Sequence, residues 1–431
     1  MIDKKERERI IALIHKEVVP AIGCTEPIAV ALCVAKAKET LGQLPERIDV
    51  LLSANILKNA MGVGIPGTGM IGLPIAVALG AIVGKSEYQL EVLKECTPEA
   101  VEQGKKYIDE KRIHISLKEN ITEKLYIEVS CEGDGHRSKA IISGTHTNFI
   151  FVSKDDQTLF ETQAKSAGAK SDDEPKLTLR KVYDFAMSAP IDEIRFITES
   201  RKLNEKAAAD ALNGCYGHEL GKTLARPLGK GIMGESIFSH ILSRTACACD
   251  ARMAGAMIPV MSNSGSGNQG ICATLPVVTF AEENHNTAEE LIRALTLSHL
   301  TEIYIKQSLG TLSALCGCVV ASTGSSCGIT YLMGGNYQQI CYAVKNMIAN
   351  LTGMICDGAK PSCSLKLTSG VSTAVFSAIL AMEQKSVTSV EGIIDDDVDC
   401  SIHNLTSIGK DGMQETDQLV LSIMANKQNK K

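Results

Sequence analysis

The chain contains no tryptophan, and its few phenylalanines and tyrosines bring aromatics to only 4% of 431 residues. A core so short of rings has to be filled by Ala, Val, Ile, Leu and Met, which suits closely packed helices better than a β-sandwich. A long apolar run is missing too. The best stretch, Ile71–Val83, is broken by glycine and falls short of a membrane span, so no such helix is expected. The N-terminal residues, MIDKKERERIIALIHKEV, are charged and lack the apolar centre of a secretory signal. Positive charge is not in excess either. The net charge of −6 gives no reason to expect nucleic acid or an anionic membrane as partner. The expectation is a cytoplasmic protein, in a compartment that keeps thiols reduced.

What the chain has in quantity is glycine, at 36, and cysteine, at 15. An odd number of cysteines in a reducing compartment does not read as a disulfide framework, and most should be buried small hydrophobes. With 44% hydrophobic and 22% charged residues over 431 positions, the length allows two or three domains.

Along the chain, Ile10, Ile11, Leu13, Ile14 and Val18 recur at helical spacing, and a second helix is expected from Thr25, as N-cap, to Leu41. Arg47–Ile56 alternates like a strand and leads into KNAMGVGIPGTGMIGLPIAVALG. Residues 88–108 look helical, and strands are expected at Ile113–Leu117, Lys124–Cys131, Lys139–Ser143 and Asn148–Ser153. The polar segment SKDDQTLFETQAKSAGAKSDDEPKLT reads as a linker. From Leu177 onward the pattern is helical, punctuated by loops at 261–270, 323–328 and 334–336. The expected fold is α+β, with a mixed α/β domain at 45–165 and a mostly helical catalytic domain at 175–431. Residues 1–44 are expected to join the latter.

Gly62-x-Gly64-x-x-Gly67 fits a dinucleotide fingerprint, but Pro66 interrupts the turn and no acidic residue follows in a βαβ unit, so packing is the better reading. The late cysteines differ in kind. Cys316 and Cys318 sit in a glycine-broken turn, and Cys356 and Cys363 flank DGAKPS. A structural zinc site would want four ligands in short paired spacings, which this is not. Three thiolates on a [4Fe–4S] cluster with one iron open fit better, and buried structural cysteines remain the alternative. The loop SNSGSGNQG at 262–270 could hold a carboxylate through Ser264, Ser266, Asn268 and Gln269, or be a solvated connection. His146 is expected to be a satisfied structural histidine. Cys272, Cys327, Cys341 and the Cys247/Cys249 pair in ACACDARMAGAM read as packing.

The segments CGCVVASTGSSCGITYLMGG and NMIANLTGMICDGAKPSCSLK resemble the L-cysteine desulfidase family, which is related to the alpha chain of bacterial iron–sulfur L-serine dehydratases. The likeness extends to GCTEPIAVAL, SANILKNAMGVGIPGTG, GTHTNFIF and SNSGSGNQGICATLPV, and so to most of the chain. It implies a [4Fe–4S] cluster on Cys316, Cys356 and Cys363, with Cys318 as the competing ligand to Cys316. It also implies conversion of L-cysteine to pyruvate, ammonia and hydrogen sulfide without pyridoxal phosphate. Cys24 resembles the family's catalytic cysteine, and a helix start directly after it would lower its pKa. The base for the Cα proton is open between Lys360 and Lys366. The expected partner is a small amino acid, with a homodimer as an allowed assembly. The competing readings are a serine dehydratase on the same cluster, a non-enzymatic metal or redox sensor, and a pyridoxal phosphate lyase, for which no lysine has a convincing context.

Overall fold

The computed structural model describes residues 2–121, 123–155, 157–162, 174–310 and 312–428. Asp3 caps α1 (Lys4–Glu17) by accepting from the Glu6 N–H at 2.9 Å, and Ile10, Leu13 and Ile14 form its buried stripe. Strand β1 (Pro20–Ile22) and Gly23 lead into α2 (Thr25–Leu41), which stops at Gly42 in the left-handed region. Strand β2 (Arg47–Leu52) buries Ile48, Val50 and Leu52 at alternate positions. It ends four residues earlier than expected. The apolar spacing there changes from two to four (Leu52, Ile56, Ala60), and Ser53 opens α3 (Ala54–Ala60).

After α4 (Leu73–Ile82) and α5 (Pro98–Asp109) come β3 (Ile113–Leu117), β4 (Tyr126–Gly133), β5 (His136–Ser143), β6 (Phe149–Lys154) and β7 (Gln157–Glu161). With β2 they make a six-stranded sheet in the order β3-β2-β4-β5-β6-β7. The β2–β3 pair is parallel and every other neighbouring pair antiparallel. Strand β7 lies inside the segment read as a linker, its backbone paired with β6; residues 163–173 of that segment lie outside those described.

The remainder is helical: α6 (Leu179–Ser188), α7 (Ile191–Ile194), α8 (Thr198–Asn213), α9 (Leu220–Leu224), α10 (Pro227–Met233) and α11 (Ile237–Met253). After strand β8 (Pro259–Met261) come α12 (Gly267–Glu283), α13 (Ala288–Leu309), α14 (Gly317–Leu332), α15 (Tyr337–Leu351), α16 (Cys363–Met382), α17 (Val398–Ser407) and α18 (Gln414–Gln428). The fold is therefore α+β and mostly helical. Helix α14 is central, packed by α12, α13, α15 and α16. Its STGSSCG stretch, expected as a loop, is buried helix. Thr323 and Ser326 hydroxyls donate back to Val319 O at 2.9 Å and Thr323 O at 2.8 Å, so their polarity is satisfied within the helix. Small side chains admit the neighbours: a Cβ on Gly324 would stand 2.3 Å from Ser298 O of α13.

Two apolar cores result. One lies between the sheet and α2, α4 and α5; the other fills the helical part and takes in α1 and Cys24. Helix α2, grouped with the helical domain in the sequence reading, packs instead on β4, β5 and α4. Its alanines decide this, for Gly80 of α4 approaches until a Cβ there would meet Ala31 O at 2.7 Å. Among the described residues one helix, Cys363–Met382, is long and apolar enough to cross a membrane, and half of its most apolar stretch is buried within the protein.

Candidate active site

The two cores meet at a two-stranded antiparallel ribbon, in which Ala21 pairs with Val260 and Ile22 with Pro259. The ribbon brings the residues after β1 beside those after β8, and so sets Cys24 against the 262–270 loop. Gly23 is required between them: its φ is +70°, and a Cβ would stand 2.3 Å from Pro66 Cγ. The glycine run at 62–72 docks here as well, Gly64 N–H donating to Met253 O at 2.9 Å and Gly67 N–H to Gly255 O at 3.1 Å. Its glycines serve close backbone packing, as the sequence reading preferred to a dinucleotide site.

Cys24 occupies the N-cap position of α2, with Thr25 the first helical residue, a shift of one from the expected cap. Its thiol does not cap the helix. Sγ donates to Glu26 Oε2 at 3.0 Å, and Glu26 Oε1 accepts from Asn59 Nδ2 at 3.0 Å. The expected lowering of the thiol pKa is overturned. Burial first, and then the Glu26 carboxylate, push Cys24 well above the usual thiol range; Arg252 offsets only part of this. Burial pushes Glu26 up, but His146, the Cys24 thiol, its own backbone N–H and Asn59 together hold it below the usual carboxylate range. His146 was expected to be satisfied, and it is not. Its buried Nε2 has no hydrogen-bond partner among the described residues, and burial lowers its pKa.

Opposite stand the late cysteines. Cys316 is the N-cap of α14, and Cys363 is the first residue of α16. A bridge between Leu315 and Ile355 aligns the loops: Cys316 N–H donates to Met354 O at 2.9 Å and Cys356 N–H to Ala314 O at 2.6 Å. Gly358, at φ +89°, seats the Cys356 loop on α3, where a Cβ would meet Lys58 O at 2.2 Å. All three thiols line one cavity of about 120 Å³ with Cys24, Glu26, Asn59 and His146. That is well beyond the roughly 10–15 Å³ one water needs. Cys318 lines it too, though it also turns toward Cys272.

Among the described residues no three His, Cys, Asp or Glu side chains converge on one ion position. A mononuclear ion would demand such convergence, whereas a cluster binds each thiolate to a separate iron and leaves the sulfurs apart around it. Three thiols at the rim of one cavity suit the second case; burial first, and then Cys316, pushes the Cys356 thiol up, and burial with Cys356 and Cys316 pushes the Cys363 thiol up.

The third wall is the 262–270 loop. Asn263 and Ser266 exchange backbone hydrogen bonds around Ser264 and Gly265, both at positive φ, as in a type I′ turn. Ser264 Oγ donates to Asn263 Oδ1 at 2.9 Å, and Asn263 Nδ2 lies 3.0 Å from His299 Nδ1. His299 Nε2 lies 3.0 Å from Thr274 Oγ1, which donates to Gly270 O at 2.7 Å. Nδ1 must therefore accept and Nε2 carry the proton. Burial pushes His299 down to about 3, so this buried network is neutral. Ser264, Ser266, Asn268 and Gln269 all line the cavity, as does Arg252 of α11. Arg252 donates to Asn268 Oδ1 and to Gly23 O, each at 3.0 Å, and ties this wall to the Cys24 turn.

Lys360 and Lys366 do not line the cavity. Both bind the Asp357 carboxylate, and Lys366 also donates to Ile355 O at 2.8 Å, so they clamp the Cys356 loop from behind. The lysine that lines the cavity is Lys306 of α13, which burial lowers to about 8. Cys247, Cys249, Cys272, Cys327 and Cys341 are buried among helices. Glu26, Asn59, Arg252 and Lys306 were not read from the sequence. Glu26 and Asn59 had a signal in their places within GCTEPIAVAL and SANILKNAMGVGIPGTG.

A family model described as the serine dehydratase alpha chain matches residues 87–422, a span that holds the three thiols and the 262–270 loop. Over 98% of its length the chain is 72% identical to a UPF0597 protein of Bacteroides fragilis, covering 99% of that protein. It is 55% identical to a UPF0597 protein of Porphyromonas gingivalis over 99% of this chain and 100% of that one. A UPF0597 protein of Shewanella halifaxensis matches at 45% identity over 96% and 97%. The chain belongs to the serine dehydratase alpha chain family.

Proposed function

We propose that this protein is a carbon–sulfur lyase that converts L-cysteine to pyruvate, ammonia and hydrogen sulfide, with a [4Fe–4S] cluster on Cys316, Cys356 and Cys363. The observation that carries the proposal is the single cavity in which those three thiols face Cys24 and the 262–270 loop. Such a cluster would supply one iron without a protein ligand, a Lewis acid toward the leaving group. The chain's own residues do the rest. The N-terminus of α12, with Ser264, Ser266, Asn268 and Gln269 beside Arg252, holds the substrate carboxylate. Cys24, across the cavity, exchanges protons with substrate. Loss of the Cα proton and of sulfide gives aminoacrylate, which hydrolyses to pyruvate and ammonia. All fifteen cysteines are free thiols, which suits a reducing, cytoplasmic setting.

A second reading has its own support: the family name favours L-serine as substrate, with water leaving in place of sulfide. Anaerobic purification followed by pyruvate assays on both amino acids separates them. The desulfidase reading expects about four irons per chain, as its cluster type requires, and faster turnover of cysteine. Faster turnover of serine selects the dehydratase, and full activity after air and iron chelation rejects both.

A further inference from the structure

Cys24 is the residue that faces substrate, yet its surroundings are wrong for a free thiolate. It is buried, and its thiol donates to the Glu26 carboxylate at 3.0 Å. An anionic sulfur there would stand against an anionic carboxylate, both of them largely buried. The thiol's proton is thus directed at Glu26, and its lone pairs remain for the cavity. Glu26 is fixed on its other side by Asn59 of α3. His146, on the connection between β5 and β6, lines the same cavity and acts on Glu26 through its charge, with Nε2 buried and unpartnered among the described residues. Thr145, next in the chain, is exposed.

We infer that Glu26, acting through Cys24, is the group that comes to hold the substrate's Cα proton, and that His146 carries it onward. This rests on the lyase reading above. In the step, the Cα–H bond breaks and its electron pair forms the Cα–Cβ double bond, while the Cβ–S pair leaves with sulfide. The proton joins the Cys24 sulfur as the thiol's own proton moves to Glu26 Oε2, so Cys24 is a thiol before and after. Glu26 returns to carboxylate by passing its proton to the imidazole of His146, and from there to water beside Thr145. No oxidant or reductant is needed. Arg252 of α11 acts on Cys24, and His146 and Asn59 act on Glu26; Lys306 of α13 and the thiols of Cys316, Cys318, Cys356 and Cys363 line the same cavity. Burial and Glu26 hold the Cys24 thiol well up, in agreement with a relay and against a standing thiolate.

Glu26→Gln keeps the shape and an acceptor oxygen but cannot take a proton. Turnover should fall by a factor in the range of about 10²–10⁴ typical of a lost acid–base group. Iron content and the spectral change on adding cysteine should persist, and Glu26→Asp should recover part of the rate. A readout independent of turnover is alkylation of Cys24 against pH, followed by mass spectrometry of its peptide. Its midpoint should move to lower pH in Glu26→Gln, because the repelling carboxylate is gone; a purely structural role would not move it. His146→Gln should displace the acidic limb of the kcat/KM profile. An active wild type with near-wild-type Glu26→Gln, or an unchanged Cys24 profile, overturns the relay alone. Iron-loaded wild type that releases no pyruvate from cysteine or serine overturns the lyase reading and the relay with it.

Discussion

Single side chains divide by the wall of the cavity on which they stand. Replacing Cys316, Cys356 or Cys363 with Ser should cost both iron and turnover. Cys24→Ser should keep iron and colour yet lose turnover by about 10²–10⁴, since it removes a proton carrier and not a ligand. Iron analysis and a pyruvate assay on the same anaerobic preparations check both, and iron loss in Cys24→Ser would make it a ligand. Cys341→Ser, away from the cavity, should lower stability and leave iron in place. His299 supplies a pH test of the loop that it supports. Its folded pKa is about 3 against an ordinary 6.5, so it binds a proton more readily unfolded than folded. The resulting stability is complete above pH 6.5 and is lost progressively as pH falls toward 3. One proton corresponds to about 1.4 kcal/mol per pH unit within that window. Urea unfolding at a series of pH values should show His299→Gln with a shallower slope than wild type. Equal slopes would mean that the buried imidazole is not the titrating group.

Elements are held in register here by close backbone contacts more than by large side chains, as a chain without tryptophan requires. Gly358→Ala tests this. It places a Cβ at φ +89° and within 2.2 Å of Lys58 O, a backbone atom that cannot swing aside. Strain of this kind costs on the order of 1–3 kcal/mol, and the loop that carries Cys356 should move off α3. Iron loading should therefore fall together with the melting temperature; a stable variant with full iron would show that the loop is not fixed by α3. The same feature explains which elements were legible. Helices with a polar face, such as α1, and strands that alternate, such as β2, announce their period. STGSSCG in α14 does not, because serine, threonine and glycine signal a turn unless their hydroxyls return to the helix backbone and neighbouring helices need the space. Strand β7 was hidden in a polar segment because every residue in it is exposed, so no alternation marks it.

At the scale of the molecule the cavity lies where two cores meet, and this is why the site was only half visible in the sequence. The thiols and the 262–270 loop sit in local motifs that can be read one at a time. Glu26 and Asn59 come from helices that pack on the sheet core, and Arg252 and Lys306 from the helical core. The β1–β8 ribbon and the docking of the 62–72 run bring them together. A third tie spans the same junction. Lys58 of α3, almost wholly buried, is paired with Asp417 of the C-terminal helix α18, which also accepts from Asn55 at 3.0 Å. The backbone of Lys58 is the seat of Gly358, so α18, α3 and the Cys356 loop form one chain of contact. Asp417→Ala would leave the buried ammonium without its carboxylate. Breaking one side of such a pair costs about 3–5 kcal/mol when both groups are buried, and somewhat less here because Asp417 is one-fifth exposed. The variant should melt lower and lose iron faster, although Asp417 does not line the cavity. Lys58→Met added to Asp417→Ala should restore most of the stability, because the stranded charge is removed. Thermal unfolding and iron release rates on the two single variants and the double variant complete the cycle. If the two losses simply add, the pair is not what joins the C-terminal helix to the cysteine loop.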